Sequence, residues 1–202
     1  MRIFISILLT FLIASCGSKT FKFKDSDFEW VPYHSADTLI FTSNTVDIDT
    51  LFIKAPKRYM VYDVDPLSPF PQDSIEKFHI PYSFSNDTTK RFGQYPGETI
   101  FAMTKTTKNK TRIGFGVVTN DAFFYGLKYY DITELRSANL IELQTDYKTY
   151  KDILVIEPDT SNYKWSSRDH FVLRMYWSKS EGLVRFDKNN NDHYTLTKKY
   201  GL

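Results

Sequence analysis

Short runs in which apolar and polar residues alternate recur along most of this chain, and they restrict it to a fold built mainly of β-strands. Val46, Ile48 and Thr50 alternate with Asp47 and Asp49, which is the two-residue period of a half-buried strand. Aromatic residues make up 17% of the chain, and aromatic and β-branched residues favour strands. We therefore expect a single mainly β domain.

The clearest strands are predicted near the C-terminus. In the segment from His170 to Ser178, every second residue is large and apolar: Phe171, Leu173, Met175 and Trp177. Gly182–Lys188 and His193–Lys198 follow, separated by an Asn-rich turn. Tight connections of this kind predict an antiparallel meander, closed either as a sandwich or as a curved half-barrel sheet. Because large apolar patches rarely stay exposed, we expect the Trp177 face to be core.

Further strands and one or two short helices complete the predicted fold. The other predicted strands are Phe28–Tyr33, Thr38–Thr42, Asp47–Lys54, Arg58–Asp63, Thr99–Thr106, Arg112–Thr119, Ala122–Lys128, Leu140–Thr145 and Tyr150–Glu157. Asp131 and Glu134 have the spacing of a capping box before a short helix. A proline-rich loop begins at Pro66, and a helical turn is predicted near Ser74–Phe78.

The hairpin predicted around residues 105–112 carries two features that bear on function. Gly114 and Gly116 share one face, and small residues permit the close approach of another element, but we favour a simply crowded sheet as the explanation. The basic run Lys105–Arg112 falls at the turn. We interpret it as a solvated turn rather than an anion site, since it lacks interleaved aromatic residues.

The N-terminus has the order of a secretory signal peptide. Arg2 supplies one positive charge before the apolar run Ile3–Ala14, and small residues follow. The run is shorter than the roughly 20 residues that a transmembrane helix needs. It also lacks the amphipathic face expected of a core helix.

Ile13-Ala14-Ser15-Cys16 resembles the lipobox read by the bacterial lipoprotein signal peptidase. The resemblance implies cleavage between Ser15 and Cys16 and a diacylglycerol on the Cys16 sulfur, so that lipid holds the mature protein to a membrane. Ordinary secretion, with a cut after Gly17 or Ser18, is the alternative. Cys16 is the chain's one cysteine, so no disulfide can form within the domain.

Three segments follow from this interpretation: residues 1–15 as signal peptide, 16–27 as a polar tether, and 28–202 as the single domain. No Asp follows Cys16, which by family analogy indicates the outer membrane of the cell envelope. Lys and Arg number 26 and Asp and Glu 24, with Arg2 alone in the leader. The mature charge is therefore near +1, which argues against a nucleic-acid partner and against a polybasic membrane patch.

The C-terminal hairpin carries a second resemblance. Tyr176-Trp177-Ser178-Lys179, followed by Gly182-Leu183-Val184-Arg185-Phe186, is similar to the closing hairpin of small, mostly uncharacterised Bacteroidota-type envelope lipoproteins. A weaker similarity is to curved-sheet periplasmic lipoprotein carriers. Neither family implies a catalytic residue in this chain.

Neither a cofactor nor a metal site is predicted. Asp187–Asp192 matches the first half of a calcium loop, but Asp192 and Lys198 stand where the turn glycine and the bidentate glutamate belong. We therefore predict a plain turn. The four histidines have no metal-ligand spacing: His34, His79, His170 and His193.

Catalytic arrangements are equally weak in the sequence. Asp169 and His170 are adjacent and would point to opposite faces of a strand, and Asp192 and His193 are related in the same way. Four acids could form a carboxylate pair if their strands are neighbours: Asp47, Asp49, Asp63 and Asp65. The favoured function is a noncatalytic, membrane-anchored binding or structural module. The alternatives are an envelope hydrolase whose site is assembled only in the fold, and a carrier of an apolar ligand in a curved sheet.

The lipobox interpretation is tested by the substitution Cys16→Ala. Without the thiol there is no atom to accept the diacylglycerol, so cells fed labelled palmitate should incorporate label into the wild-type protein and not into the variant. Undiminished label on Cys16→Ala would contradict lipid attachment at this residue.

Overall fold

The computed structural model describes residues 17–62, 72–85, 99–119, 122–124, 127–158 and 168–201, and it is mainly β, as predicted. Several predictions concern residues that lie outside the described ranges. They are the signal peptide with Cys16, most of the proline-rich loop predicted from Pro66, and the acids Asp63 and Asp65. The strands are β1 (Thr20–Phe21), β2 (Thr38–Ser43), β3 (Ile48–Ile53), β4 (Lys57–Tyr62), β5 (Ser74–Phe84), β6 (Thr99–Lys105), β7 (Thr111–Phe115), β8 (Lys128–Asp131), β9 (Ile141–Gln144), β10 (Thr149–Ile156), β11 (Val172–Ser178), β12 (Gly182–Lys188) and β13 (His193–Tyr200).

The strands form one curled, half-barrel sheet. Its order is β8-β7-β6-β5-β3-β2-β13-β12-β11-β10-β9, and all of these neighbours are antiparallel. The long strand β5 is the branch point, because β3 and β4 pair with successive parts of it and the short β1 joins it in parallel. The half-barrel form of the predicted meander is therefore the observed one.

The core fills the concave side of the curl. Trp177 of β11 stacks on Phe101 of β6 at 5.6 Å between ring centroids and meets Phe115 of β7 edge-on at 4.8 Å. Tyr33 contacts the same indole at 5.6 Å. Since β6 and β11 are far apart in the strand order, this contact joins the two arms of the sheet. The prediction that Trp177 is core is confirmed, with the side chain 1% exposed.

The alternation predicted for β11 is wrong at Leu173, which is 41% exposed, whereas Val172 is fully buried. The pairing of β11 with β12 slips between Val172 and Arg174, where two residues of β11 advance against one of β12. A bulge of this kind moves the following side chains to the other face. Because of the bulge, Val172 and not Leu173 lies on the buried apolar face of β11.

The helices differ in part from the prediction. The capping box is confirmed: Asp131 caps helix α1 (Ile132–Arg136), and Glu134 accepts the Asp131 N–H at 3.1 Å. The predicted strand Phe28–Tyr33 is wrong, because a 3₁₀ helix covers Asp25–Trp30. The Asp27 carboxylate accepts the Lys24 N–H at 3.1 Å and closes its first turn.

Two further local predictions are corrected. The helical turn near Ser74–Phe78 is the beginning of β5, and the alternation was hidden because Glu76 faces inward. Its carboxylate is paired there with Arg58 at 2.6 Å and with the Phe23 N–H at 2.7 Å. In place of a strand over Ala122–Lys128, Phe123 makes isolated bridges and β8 starts at Lys128.

The packed part of the chain reaches further toward the N-terminus than Phe28. β1 pairs with Ser74 and Ile75, Phe23 is 7% exposed and Asp27 is 4% exposed. Residues 19–27 thus lie as a strap along the sheet rather than as a free tether. Within the described residues, no helix has the length and apolar composition needed to cross a membrane.

The central role of Trp177 can be measured by denaturation. Trp177→Ala should lower the free energy of unfolding by about 3–5 kcal/mol, because it leaves a cavity where the arms of the sheet meet. Leu173→Ala on the same strand is the matched control and should change it by less than about 0.5 kcal/mol. Equal losses in urea titrations of the two variants would contradict the assignment of the buried face.

Candidate functional site

The basic run at the β6–β7 turn divides into one buried and several exposed cations. Lys105 is buried, and its ammonium lies 3.1 Å from the Asp27 carboxylate, with both side chains at most 5% exposed. Thr111 donates its hydroxyl to the same carboxylate at 2.8 Å. The interpretation of the run as a solvated turn is therefore wrong for Lys105, which holds the hairpin against the 3₁₀ helix.

The ionisation of Asp27 is set by this contact. Burial alone would raise the pKa of Asp27, but hydrogen bonds from Thr111, the Lys24 N–H and Lys105 outweigh it and hold the pKa below its ordinary value. A lowered pKa stabilises the fold above the pKa of an unfolded Asp. That contribution is lost as the pH falls through the lowered value.

Beyond Lys105, the turn forms one wall of an open groove of about 560 Å³. The start of α1 and the end of β8 form the other wall. We call this the basic groove, and the residues that line it are Thr106, Thr107, Lys108, Lys110, Arg112, Tyr129, Asp131 and Glu134.

The two acids of the basic groove are engaged within the fold. Asp131 accepts hydrogen bonds from the Thr133 hydroxyl at 2.8 Å and the Thr133 N–H at 3.1 Å, and Lys110 lies 3.3 Å away. The Thr133 bonds are the main cause of a lowered pKa at Asp131, to which Lys110 also contributes. Glu134 completes the capping box. Both carboxylates therefore serve the helix cap.

Arg112 is held in position by an aromatic ring from a neighbouring strand. Its guanidinium lies over Tyr129 at 5.5 Å from the ring centroid. Tyr129 itself lies flat on Gly114, where a Cβ would come within 2.7 Å of the ring. The glycine thus permits a close approach, as one of the two interpretations of Gly114 proposed. A cation–π contact of this kind holds the guanidinium beside the ring and leaves its N–H donors available.

The cations of the basic groove are incompletely neutralised. Among the described residues, no carboxylate lies within 4 Å of the charged nitrogens of Arg112 or Lys108. A planar guanidinium with free donors matches a carboxylate or phosphate group. The sequence did not predict this site, because Tyr129, the aromatic partner of the basic run, comes from β8 and not from the run itself. The one signal in the sequence was Gly114, whose missing side chain makes room for the Tyr129 ring.

The surroundings of His79 differ from those of a catalytic histidine. His79 packs edge-on against Tyr59 at 5.6 Å, and burial together with nearby Lys57 lowers its pKa. A neighbouring carboxylate, as in a catalytic triad, would instead favour the charged imidazolium and raise the pKa. Among the described residues, no three His, Cys, Asp or Glu side chains are grouped so as to hold a metal.

The Asn-rich segment forms a turn whose polar groups bond to one another. Asp192 accepts from the Asn190 amide at 2.6 Å and lies 3.4 Å from Lys188, and Asn191 has a φ of 68°. Asp187 is bonded to Arg185 at 2.6 Å. Asp49 faces inward from β3, whereas Asp47 is in the exposed β2–β3 turn, so these two acids point to different surroundings.

No protein-family model, curated protein or solved structure matches this chain. The basic groove is therefore interpreted from its own side chains.

The division of the basic run can be tested with two equivalent substitutions. Lys105→Met should lower the free energy of unfolding by about 3–5 kcal/mol, because it removes the buried counter-charge of Asp27 and leaves only Arg136, 4.0 Å away and partly exposed. Lys108→Met, three residues along the same turn, should change it by less than about 0.5 kcal/mol. If urea titrations show similar small effects, Lys105 does not hold the hairpin in the way described.

Proposed function

We propose that the protein is a lipid-anchored cell-envelope lipoprotein of the outer membrane, and that it acts as a noncatalytic binding module through the basic groove. The observation that carries the binding role is the Arg112 guanidinium, stacked on Tyr129 and free of a carboxylate among the described residues. The lipobox at Ile13–Cys16 supports the anchor.

The chemistry of the basic groove favours a ligand with phosphate or carboxylate groups. Arg112 offers a fork of donors, Lys108 offers a point charge, and the hydroxyls of Thr106 and Thr107 line the same wall. The groove is open, so it suits a group displayed on a larger surface or polymer better than an enclosed small molecule.

Two observations favour this function over the alternatives. A carrier of an apolar ligand needs an empty concave face, and here that face is filled by side chains such as Trp177, Phe101 and Phe115, each at most 1% exposed. A hydrolase needs an activated base, and His79 is next to a lysine rather than an acid. Both observations support the basic groove as a binding surface over a carrier cavity and over a hydrolytic site.

The anchor is tested on protein isolated from membranes of producing cells. Its N-terminal peptide should begin at Cys16 and carry the mass of attached acyl chains. An N-terminal peptide that begins at Ser18 or Lys19, without lipid, would instead support ordinary secretion.

The binding role is tested with inorganic polyphosphate as the probe and the full-length protein in nonionic detergent. Arg112→Gln removes a charge-assisted contact of about 1.5–3 kcal/mol, so binding should weaken by about tenfold or more. Arg174→Gln is the matched control, because Arg174 is also exposed but is already paired with Glu157 at 3.0 Å. Equal affinity of both variants and the wild type would exclude the basic groove as the binding site.

A further inference from the structure

The basic groove lies at the same end of the sheet as the N-terminal strap. Thr20 of β1 and Tyr62 of β4 both pair with Ser74, the first residue of β5. The register from Lys77 through Thr104 to Arg112 then places the β6–β7 turn at that level. We call this the anchor end, and it comprises Lys19–Lys24, the end of β4 and the basic groove.

The strap is tied firmly to the sheet at this point. Ser74 donates its N–H to the Lys19 carbonyl at 2.8 Å, and Lys19 donates its own to Asp73 at 2.8 Å. Cys16 is three residues before Lys19, so their Cα atoms are at most about 11 Å apart. A lipid on Cys16 would therefore hold the anchor end against the headgroup layer, without a long tether between them.

The side chains displayed at the anchor end suit that surface. Lys19, Lys22 and Lys24 are exposed on the strap, with Asp25 as an exposed acid beside them. Lys108 and Arg112 add two charges from the basic groove. Clusters of this kind attract anionic lipid headgroups, and each cation near the surface strengthens membrane binding by about fivefold.

Exposed aromatic and apolar groups accompany these cations. On β4, Tyr62 is 65% exposed and Met60 is 37% exposed. Tyrosine is favoured at the membrane interface, where its ring lies among the headgroups and its hydroxyl meets water. The anchor end thus combines the charge and the side-chain types of an interfacial surface.

We infer that the anchor end rests on the bilayer that holds Cys16, with Lys108 and Arg112 of the basic groove on its anionic headgroups. This inference rests on the proposed lipid anchor and names the partner of the proposed binding site. The opposite end, with the β2–β3 turn and the Asn-rich turn, then points away from the membrane. The 11 residues of β5 separate the two ends by about 33 Å.

The test uses the full-length lipidated protein in vesicles that contain nitroxide-labelled lipid. Since Cys16 is the chain's one cysteine and its thiol is consumed by lipid, Thr107→Cys and Asn190→Cys each give a single site for a fluorophore. Thr107 is in the basic groove, and Asn190 is the matched site in the turn at the opposite end. Vesicles are made of phosphatidylcholine with and without phosphatidylglycerol.

The label at Thr107 should be quenched in vesicles that contain phosphatidylglycerol, and the label at Asn190 should not. Quenching at Thr107 should decrease in pure phosphatidylcholine and when Lys108→Glu and Arg112→Glu are added. Quenching that is equal at the two sites, stronger at Asn190, absent at Thr107 or insensitive to both changes would overturn the inference.

The proposed anchor is read out separately in the same samples. Protein that floats with the vesicles but shows no quenching at Thr107 contradicts the orientation alone. Protein that does not float, and that takes label on Cys16, contradicts the anchor and the orientation with it.

Discussion

The contact of the Trp177 indole with Phe101 and Phe115 is the interaction on which the rest of the structure depends. Trp177 belongs to β11, whereas Phe101 and Phe115 belong to the adjacent strands β6 and β7 at the other arm of the sheet. Their packing therefore joins the two arms and holds the sheet in its curl. The curl buries the concave side completely around them. The surfaces left for the proposed binding role are consequently the rim and the outer face of the sheet.

A buried ion pair attaches the N-terminal strap to the sheet. Lys105 and Asp27 connect the tip of a hairpin to the 3₁₀ helix, and the Thr111 hydroxyl donates a hydrogen bond to the same carboxylate. Removing either charge takes away the buried counter-charge of the other, which is why such pairs are costly to break. Because the strap is held in this way, the hairpin tip and the strap share one end of the molecule.

Local pattern was sufficient to predict most of the fold. Alternation predicted the C-terminal meander, and the Asp131 and Glu134 spacing predicted α1. The pattern failed where a charged side chain faces inward, as at Glu76, and where a bulge shifts the period, as at Leu173. Both depend on contacts made by distant residues, which no local window contains.

The basic groove was beyond prediction for the same reason, since the contact of Arg112 with Tyr129 exists only because β7 and β8 are paired. The basic run itself was visible in the sequence, but the net charge gave no sign that the strap and the hairpin bring their cations to the same end, because a sum over the chain carries no information on where charges are placed.

The pairing of β2 with β13 has a consequence for biogenesis. Thr42 and Thr197 are 155 positions apart and lie side by side, so the middle of the sheet cannot close until the last segment of the chain is present. Folds with such distant pairings form slowly. A chain synthesised from its N-terminus keeps one edge of β2 open until β13, the last strand in chain order, has formed. The open edge of a strand is a template for aggregation, so the interval before β13 joins is the vulnerable stage of folding.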